Sequence, residues 1–388
     1  MIYLDYNATT PLCERARTAM RPYLEEHFGN ASSIHAAGRE ARAAIDDARD
    51  RLAGLLKAKP HELIFTASGT EANNLAVLGL ARSRRAHGRH LICGSTEHHA
   101  VLHAFEHLRD KENFEVTFLS TNATGLINPA DVARAIRPET TLASIMSANN
   151  ETGVVQSMNE IAEVCRPRGV VLHSDMVQSF AKEPADLRSV DAASFAAHKF
   201  YGPKGAGLLY LRAGLPIEPI QFGGAHENQR RPGTENVAAI AGMAAAAEWA
   251  LEGRAEEQTR AATLRDQLWR TIARHYPDAQ QNGETTHRLP NTLNVNFPGL
   301  SSETILMALD LEGVCASSGS ACMVGSVVPS HVLLAMGATP EIARSTVRFS
   351  LGKQTTEAEI EAAGGAIART MERLARSAKM KAEAYAVV

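Results

Sequence analysis

The chain has 388 residues, 45% of them hydrophobic and 21% charged, with a formal net charge of -3. That is long enough for two domains with sizeable cores, in the proportions of an ordinary globular protein. A pI near 6.6 argues against the strongly basic footprint of a nucleic-acid binder, and the short run Arg82-Ser83-Arg84-Arg85 reads as solvated surface at a helix end.

Taken in chain order, Met1-Ile2-Tyr3-Leu4-Asp5 has no basic stretch leading into an apolar one, so no secretory signal is expected. Residues 62–66 read as a strand and 71–82 as a helix, followed by a strand at 90–94 and a helix at 98–110. Short apolar runs at 116–119, 142–147 and 170–173 continue the pattern, with a helix at 160–166 stopped by Pro167. A strand at 205–211 follows a Gly-Pro turn. Such alternation predicts a largely parallel sheet with helices on both faces. Residues 237–251 are mostly alanine, interrupted by Gly242 and Glu248, and read as a buried helix instead of a membrane span. After a long charged helix at 256–275 the pattern changes, with strands at 292–297 and 346–350 and helices at 303–311, 329–336 and 356–374. This predicts a large domain over residues 15–254 and a smaller α/β domain built from 1–14 and 255–388.

Ligands of such sheets bind outside the carboxyl ends of the strands. Three segments stand there. Thr66-Ala67-Ser68-Gly69-Thr70-Glu71 is a strand, a small-residue turn and a helix start, suited to a phosphate and equally to plain helix capping. It has neither the dinucleotide nor the P-loop spacing. His173-Ser174-Asp175 ends an apolar run on a carboxylate. Ala197-His198-Lys199-Phe200 sets a lysine between apolar residues and a Gly-Pro turn, where burial favours the nucleophilic amine and a strand edge would favour a snorkelling side chain.

A phosphate cup, an aspartate and a lysine in that order resemble the fold-type I pyridoxal-phosphate enzymes, and specifically the cysteine desulfurases of the NifS/IscS group. The resemblance runs through Tyr3-Leu4-Asp5-Tyr6-Asn7-Ala8-Thr9-Thr10-Pro11, Thr96-Glu97-His98, Asn149-Asn150-Glu151-Thr152-Gly153, His198-Lys199, Arg231-Pro232-Gly233-Thr234, Ser317-Ser318-Gly319-Ser320-Ala321-Cys322 and Arg348. It implies a mainly parallel seven-stranded sheet, a smaller C-terminal α/β domain, pyridoxal 5'-phosphate as cofactor and a homodimer. Lys199 resembles the lysine that holds the cofactor and moves the substrate α-proton, and Asp175 the partner of the ring nitrogen. His98 matches the histidine stacked on the ring. Gln178 and Asn150 match groups near the phenolic oxygen and the substrate carboxylate. Gly69, Thr70 and His198 match phosphate ligands. Thr234 matches one that crosses from the second subunit, and Arg348 the arginine that grips the substrate carboxylate. Cys322, on a glycine-rich loop, matches the thiol that becomes a persulfide as L-cysteine is converted to L-alanine. Its sulfur would pass to an iron–sulfur scaffold or another acceptor protein, with residues 376–388 as a candidate docking tail. Arg230 to Asn236 looks more like the nitrogenase-associated branch.

Three positions depart from the family pattern. Met176 replaces an alanine expected against the cofactor face, Ala196 and Ala197 offer no hydroxyl to the phosphate, and Met323 follows Cys322. The other four cysteines, Cys13, Cys93, Cys165 and Cys315, form no CxxC pair; the last three sit in or beside apolar runs and read as inert thiols, consistent with a reducing cytoplasm. His99, His103 and His107 share a helical stripe but lack a zinc motif, so no metal is expected. An aminotransferase or selenocysteine lyase on the same scaffold, and a sulfur-delivery platform with low turnover, remain alternatives at this level.

Overall fold

A computed structural model describes residues 1–318 and 329–385. Its strands are β1 (Ile2–Tyr3), β2 (Leu63–Thr66), β3 (His90–Gly94), β4 (Glu115–Leu119), β5 (Thr140–Ser144), β6 (Val171–Asp175), β7 (Ala192–Ala196), β8 (Gly207–Leu211), β9 (Gln280–Gln281), β10 (Thr292–Asn296), β11 (Val314–Cys315) and β12 (Thr346–Ser350). Seven of them form one sheet in the order β2-β8-β7-β6-β5-β3-β4. Only β8 runs against its neighbours, pairing antiparallel with both β2 and β7. The other six therefore point their carboxyl ends the same way.

Both faces of this sheet are covered, so every position of its strands except the edge strand β4 is buried, polar residues included. Phe65, Ile92, Ala143, Leu172, Phe195 and Leu208 pack into one core with the helices Ala36–Leu56 and Val237–Leu251. Their neighbours Ile64, Leu91, Leu142, Val171 and Leu209 pack into another with the helices Gly69–Ser83 and His99–Glu112. The strand period of two sorts consecutive residues between the two. A third core gathers around the small sheet β12-β10-β9, with Leu264, Leu268, Ile305, Ile367 and, from the N-terminus, Leu4. Among the described residues no helix is long and apolar enough to cross a membrane.

One close approach ties sheet to site. A Cβ on Gly207 of β8 would fall inside contact distance of the Ser68 backbone, in the turn after β2. Overpacking of this kind costs about 1–3 kcal/mol. We therefore expect Gly207→Ala to lower the urea-unfolding free energy by about that amount and to weaken ligand retention at the turn; an unchanged midpoint would show that the turn yields freely.

Candidate active site

A cavity of about 290 Å³ opens at the carboxyl ends of β2, β3, β5, β6 and β7. Each wall comes from the residues just past a strand: Ser68, Gly69 and Thr70 after β2, His98 after β3, Met146 and Asn150 after β5, Asp175 at the end of β6, and Ala196, His198 and Lys199 at the end of β7. Arg348 of β12 and Asn7 and Ala8 of the N-terminal segment close it. Nine of the expected residues thus meet in one place: Gly69, Thr70, His98, Asn150, Asp175, Gln178, His198, Lys199 and Arg348. Thr234 does not; it is exposed on the segment before the helix Val237–Leu251. Cys322 and Met323 lie outside the described residues. The flanks of that segment are placed: Ser317 bridges the backbone of Arg348, and Ser330 donates to Glu151 Oε2 at 2.5 Å.

Lys199 Nζ donates to the carbonyls of Asn7 and Ala8, each at 2.7 Å. Asp175 is buried and accepts from Asn73 Nδ2 at 2.6 Å and from the Val177 N–H at 2.9 Å, so its carboxylate is aimed before any ligand arrives. His98 Nδ1 accepts the Ala100 N–H at 3.1 Å. Burial lowers the His98 pKa, opposed by Asp175 and reinforced by Lys199; the neutral ring then carries its proton on Nε2. His198 Nδ1 lies 3.1 Å from Thr9 Oγ1, and burial with Lys199 and Lys204 nearby lowers it to about 4. Arg348 donates to Asp5 Oδ1 at 2.7 Å and the Asn150 carbonyl at 2.9 Å, while its buried Nε has no partner among the described residues. Beneath the site, burial and Asp175 raise Glu97 well above the carboxylate range.

These groups fit pyridoxal phosphate. Ser68 caps its helix through the Glu71 N–H, leaving the N–H groups of Gly69 and Thr70 and the Thr70 hydroxyl at the cavity wall for a phosphate. Asp175 suits a protonated ring nitrogen, and Lys199 brings the amine. The Nε of Arg348, buried and unsatisfied among the described residues, is what an anionic substrate group would occupy.

Met176, which replaces the family's alanine, does not line the cavity. Its side chain is buried in the core against Phe180 and Phe195, and Val177 lines the cavity instead. Successive side chains along a strand point to opposite sides, so Met176, next after the strand-ending Asp175 that lines the cavity, faces away from it. Ala196 does line the cavity, without a hydroxyl. Asn7, Ala8, Ser68, Asn73, Met146 and Val177 join the site beyond the expected set. Asn73 was signalled by its place three residues after Thr70, on the same helix face. Of the histidine stripe, His99 stacks on His103 and meets His331, with ring centroids 5.0 and 4.4 Å apart, while His107 pairs with Glu112. No group of three histidine, cysteine or acidic side chains among the described residues is arranged to hold a metal. Burial raises the thiols of Cys93, Cys165 and Cys315, as expected of unreactive cysteines.

Residues 2–363 match the model of the aminotransferase class-V family. The chain belongs to that family. Among class-V relatives it is similar to a cysteine desulfurase IscS of Dictyoglomus turgidum, 43% identical over 98% of this chain and 97% of the relative. In structure it is similar to a NifS-like protein, with a TM-score of 0.90 and 33% identity over 96% of this chain and 99% of the other. It also resembles SspA in complex with cysteine, with a TM-score of 0.79 and 35% identity over 90% and 99% of the two chains.

Acid should unfold this class-V chain through its buried imidazoles. His173, bonded to Ser144 and Ser194, is lowered to about 3, and His198 to about 4, chiefly by burial. A depressed pKa means the neutral ring is preferred when folded. Its stabilisation is complete above the unfolded value of about 6.5 and is lost as pH falls toward the folded value. The urea midpoint is expected to drop between pH 6.5 and 4, and His173→Gln to show a smaller drop; a flat profile in the parent would contradict it.

Proposed function

We propose that this chain is a pyridoxal-phosphate-dependent cysteine desulfurase, which converts L-cysteine to L-alanine and leaves the sulfur on Cys322. The observation that carries the reading is the cavity that unites Lys199, Asp175, His98 and Arg348 at the carboxyl ends of one sheet, in a chain similar over nearly its whole length to cysteine desulfurases. A related structure holds cysteine.

When bound, the cofactor supplies the electron sink that acidifies the α-proton of an amino acid. Asp175, held by Asn73 and Val177, keeps a proton on the ring nitrogen. Gly69, Thr70 and His198 would hold the phosphate, and His98 would stand against the ring. Arg348 takes the substrate carboxylate in bidentate fashion, oriented beforehand by Asp5 and the Asn150 carbonyl. Lys199 takes and returns the α-proton. The Cys322 thiolate then attacks the substrate sulfur. The carbon–sulfur bond breaks as the sulfur–sulfur bond forms, carbon takes up a proton, and alanine leaves. The sulfur passes on to an acceptor protein of the iron–sulfur scaffold kind.

Two further features belong to the same reading. A homodimer is supported by the exposed Leu24, Phe28, Ile34 and Phe222 and by Thr234, which stands outside its own cavity and is assigned to a partner's phosphate. A small domain of residues 1–14 and 255–388 carrying the Cys322 segment is supported by the separate core around β10 and β12. A reducing cytoplasmic setting fits the free thiols Cys13, Cys93, Cys165 and Cys315.

Purified protein is expected to show a visible cofactor band and to release alanine and, with reductant, sulfide from L-cysteine. Cys322→Ala should keep the band and lose sulfide release, whereas Arg348→Ala should raise KM for cysteine by about 10–100-fold, the worth of a charge-assisted pair. Full turnover in Cys322→Ala would turn the reading toward an aminotransferase or lyase.

A further inference from the structure

A second lysine stands beside Lys199. Lys182 and Lys199 both line a small cavity of about 40 Å³, and Lys199 lines the larger cavity as well. The ammonium of Lys182 is densely enclosed although part of its side chain reaches solvent. The residue before it is strained: Ala181 sits at φ 63°, in the left-handed region that non-glycine residues avoid. The helix Arg254–His275 fastens the turn through a bond from Gln258 Nε2 to the Lys182 carbonyl.

Lys182 Nζ donates to Gln178 Oε1 at 2.9 Å, and Gln178 Nε2 donates to the Asn7 carbonyl at 2.9 Å. An ammonium can only donate and a carbonyl can only accept. The amide of Gln178 thus has one orientation available. Its oxygen is engaged by Lys182, and its nitrogen keeps a second N–H at the wall of the cavity.

We propose that Lys182 is a positioning residue for the cofactor, locking Gln178 as a hydrogen-bond donor toward the anionic ring oxygen and disfavouring, by its charge, a proton on the nitrogen that joins Lys199 to the ring. The inference rests on the pyridoxal phosphate reading of the cavity. Of the charged groups around Lys182, Lys199 at the end of β7 and Arg348 of β12 repel it, and with burial as the largest cause its pKa falls to about 7. Lys199 ceases to be an ammonium once it holds the cofactor, which relieves its part of that repulsion and favours the Lys182 charge in the holoenzyme. Glu257 and Lys353 line the same small cavity. Lys182 therefore acts on the electrostatics of Lys199 without touching substrate.

The test is a pH titration of the visible cofactor band in the purified holoenzyme. Removing the cation takes away both influences, and both removals favour the protonated form, so Lys182→Met should titrate with a midpoint raised by about one unit, the lower end of a like-charge effect. Lys182→Arg, which keeps the charge, should titrate at or below the parent. A purely structural lysine would change thermal stability and leave the midpoint alone. A parent-like midpoint in Lys182→Met with parent cofactor content overturns the proposal; if that variant does not hold cofactor, the same comparison is read in the neutral Lys182→Gln. A parent protein with no visible band would instead refute the cofactor reading itself.

Discussion

The site depends on how Asn7 is bonded. This residue is 1% exposed, and each of its polar groups is used. Its N–H donates to Ser350 Oγ, its Nδ2 to Thr292 Oγ1 and the Asn150 carbonyl, and its Oδ1 accepts from Asn291. Its carbonyl accepts from both Gln178 and Lys199. Ser350 and Thr292 belong to the small sheet, whereas Gln178 and Lys199 follow strands of the large one. One buried amide therefore registers the two sheets against each other. Buried groups left unsatisfied cost about 1–3 kcal/mol each, so the arrangement is strongly preferred over a shifted one. The position of Arg348 relative to Lys199 follows from it.

The charges around that joint are arranged so that each has a defined counterpart or is suppressed. Asp5 holds Arg348, and Asn73 with Val177 holds Asp175. Glu97 and Glu151, both deeply buried, are pushed toward their neutral forms by desolvation. His98 and His198 are pushed toward neutrality in the opposite sense. What remains charged faces the cavity, where a phosphate, a ring nitrogen and a carboxylate are the complementary groups.

Much of this was legible in the sequence because the site hangs on strand ends. Asp175 closes an apolar run, Lys199 follows another, and the Ser68-Gly69-Thr70 turn separates a strand from a helix. The two-faced burial of the sheet also shows in the consecutive apolar pairs Ile64-Phe65, Leu91-Ile92, Leu142-Ala143 and Val171-Leu172. Other features leave little trace. The strand Ala192–Ala196 is short and alanine-rich, and the reversed direction of β8 cannot be read from a strand buried on both faces. The choice between Met176 and Val177 as the cavity-facing residue depends on where β6 ends. Lys182 looks like any surface lysine until its neighbours are placed, since the groups that act on it, Arg348 and Lys199 by charge and Gln258 through the Lys182 carbonyl, are all distant in the chain.

The measurement that bears most directly on the account is to treat the purified protein with borohydride, digest it and map the reduced cofactor adduct by mass spectrometry. The structure predicts a pyridoxyl group on Lys199, the amine in the cavity with Asp175 and His98. An adduct on Lys182 instead, or none at all after incubation with pyridoxal phosphate, would contradict it.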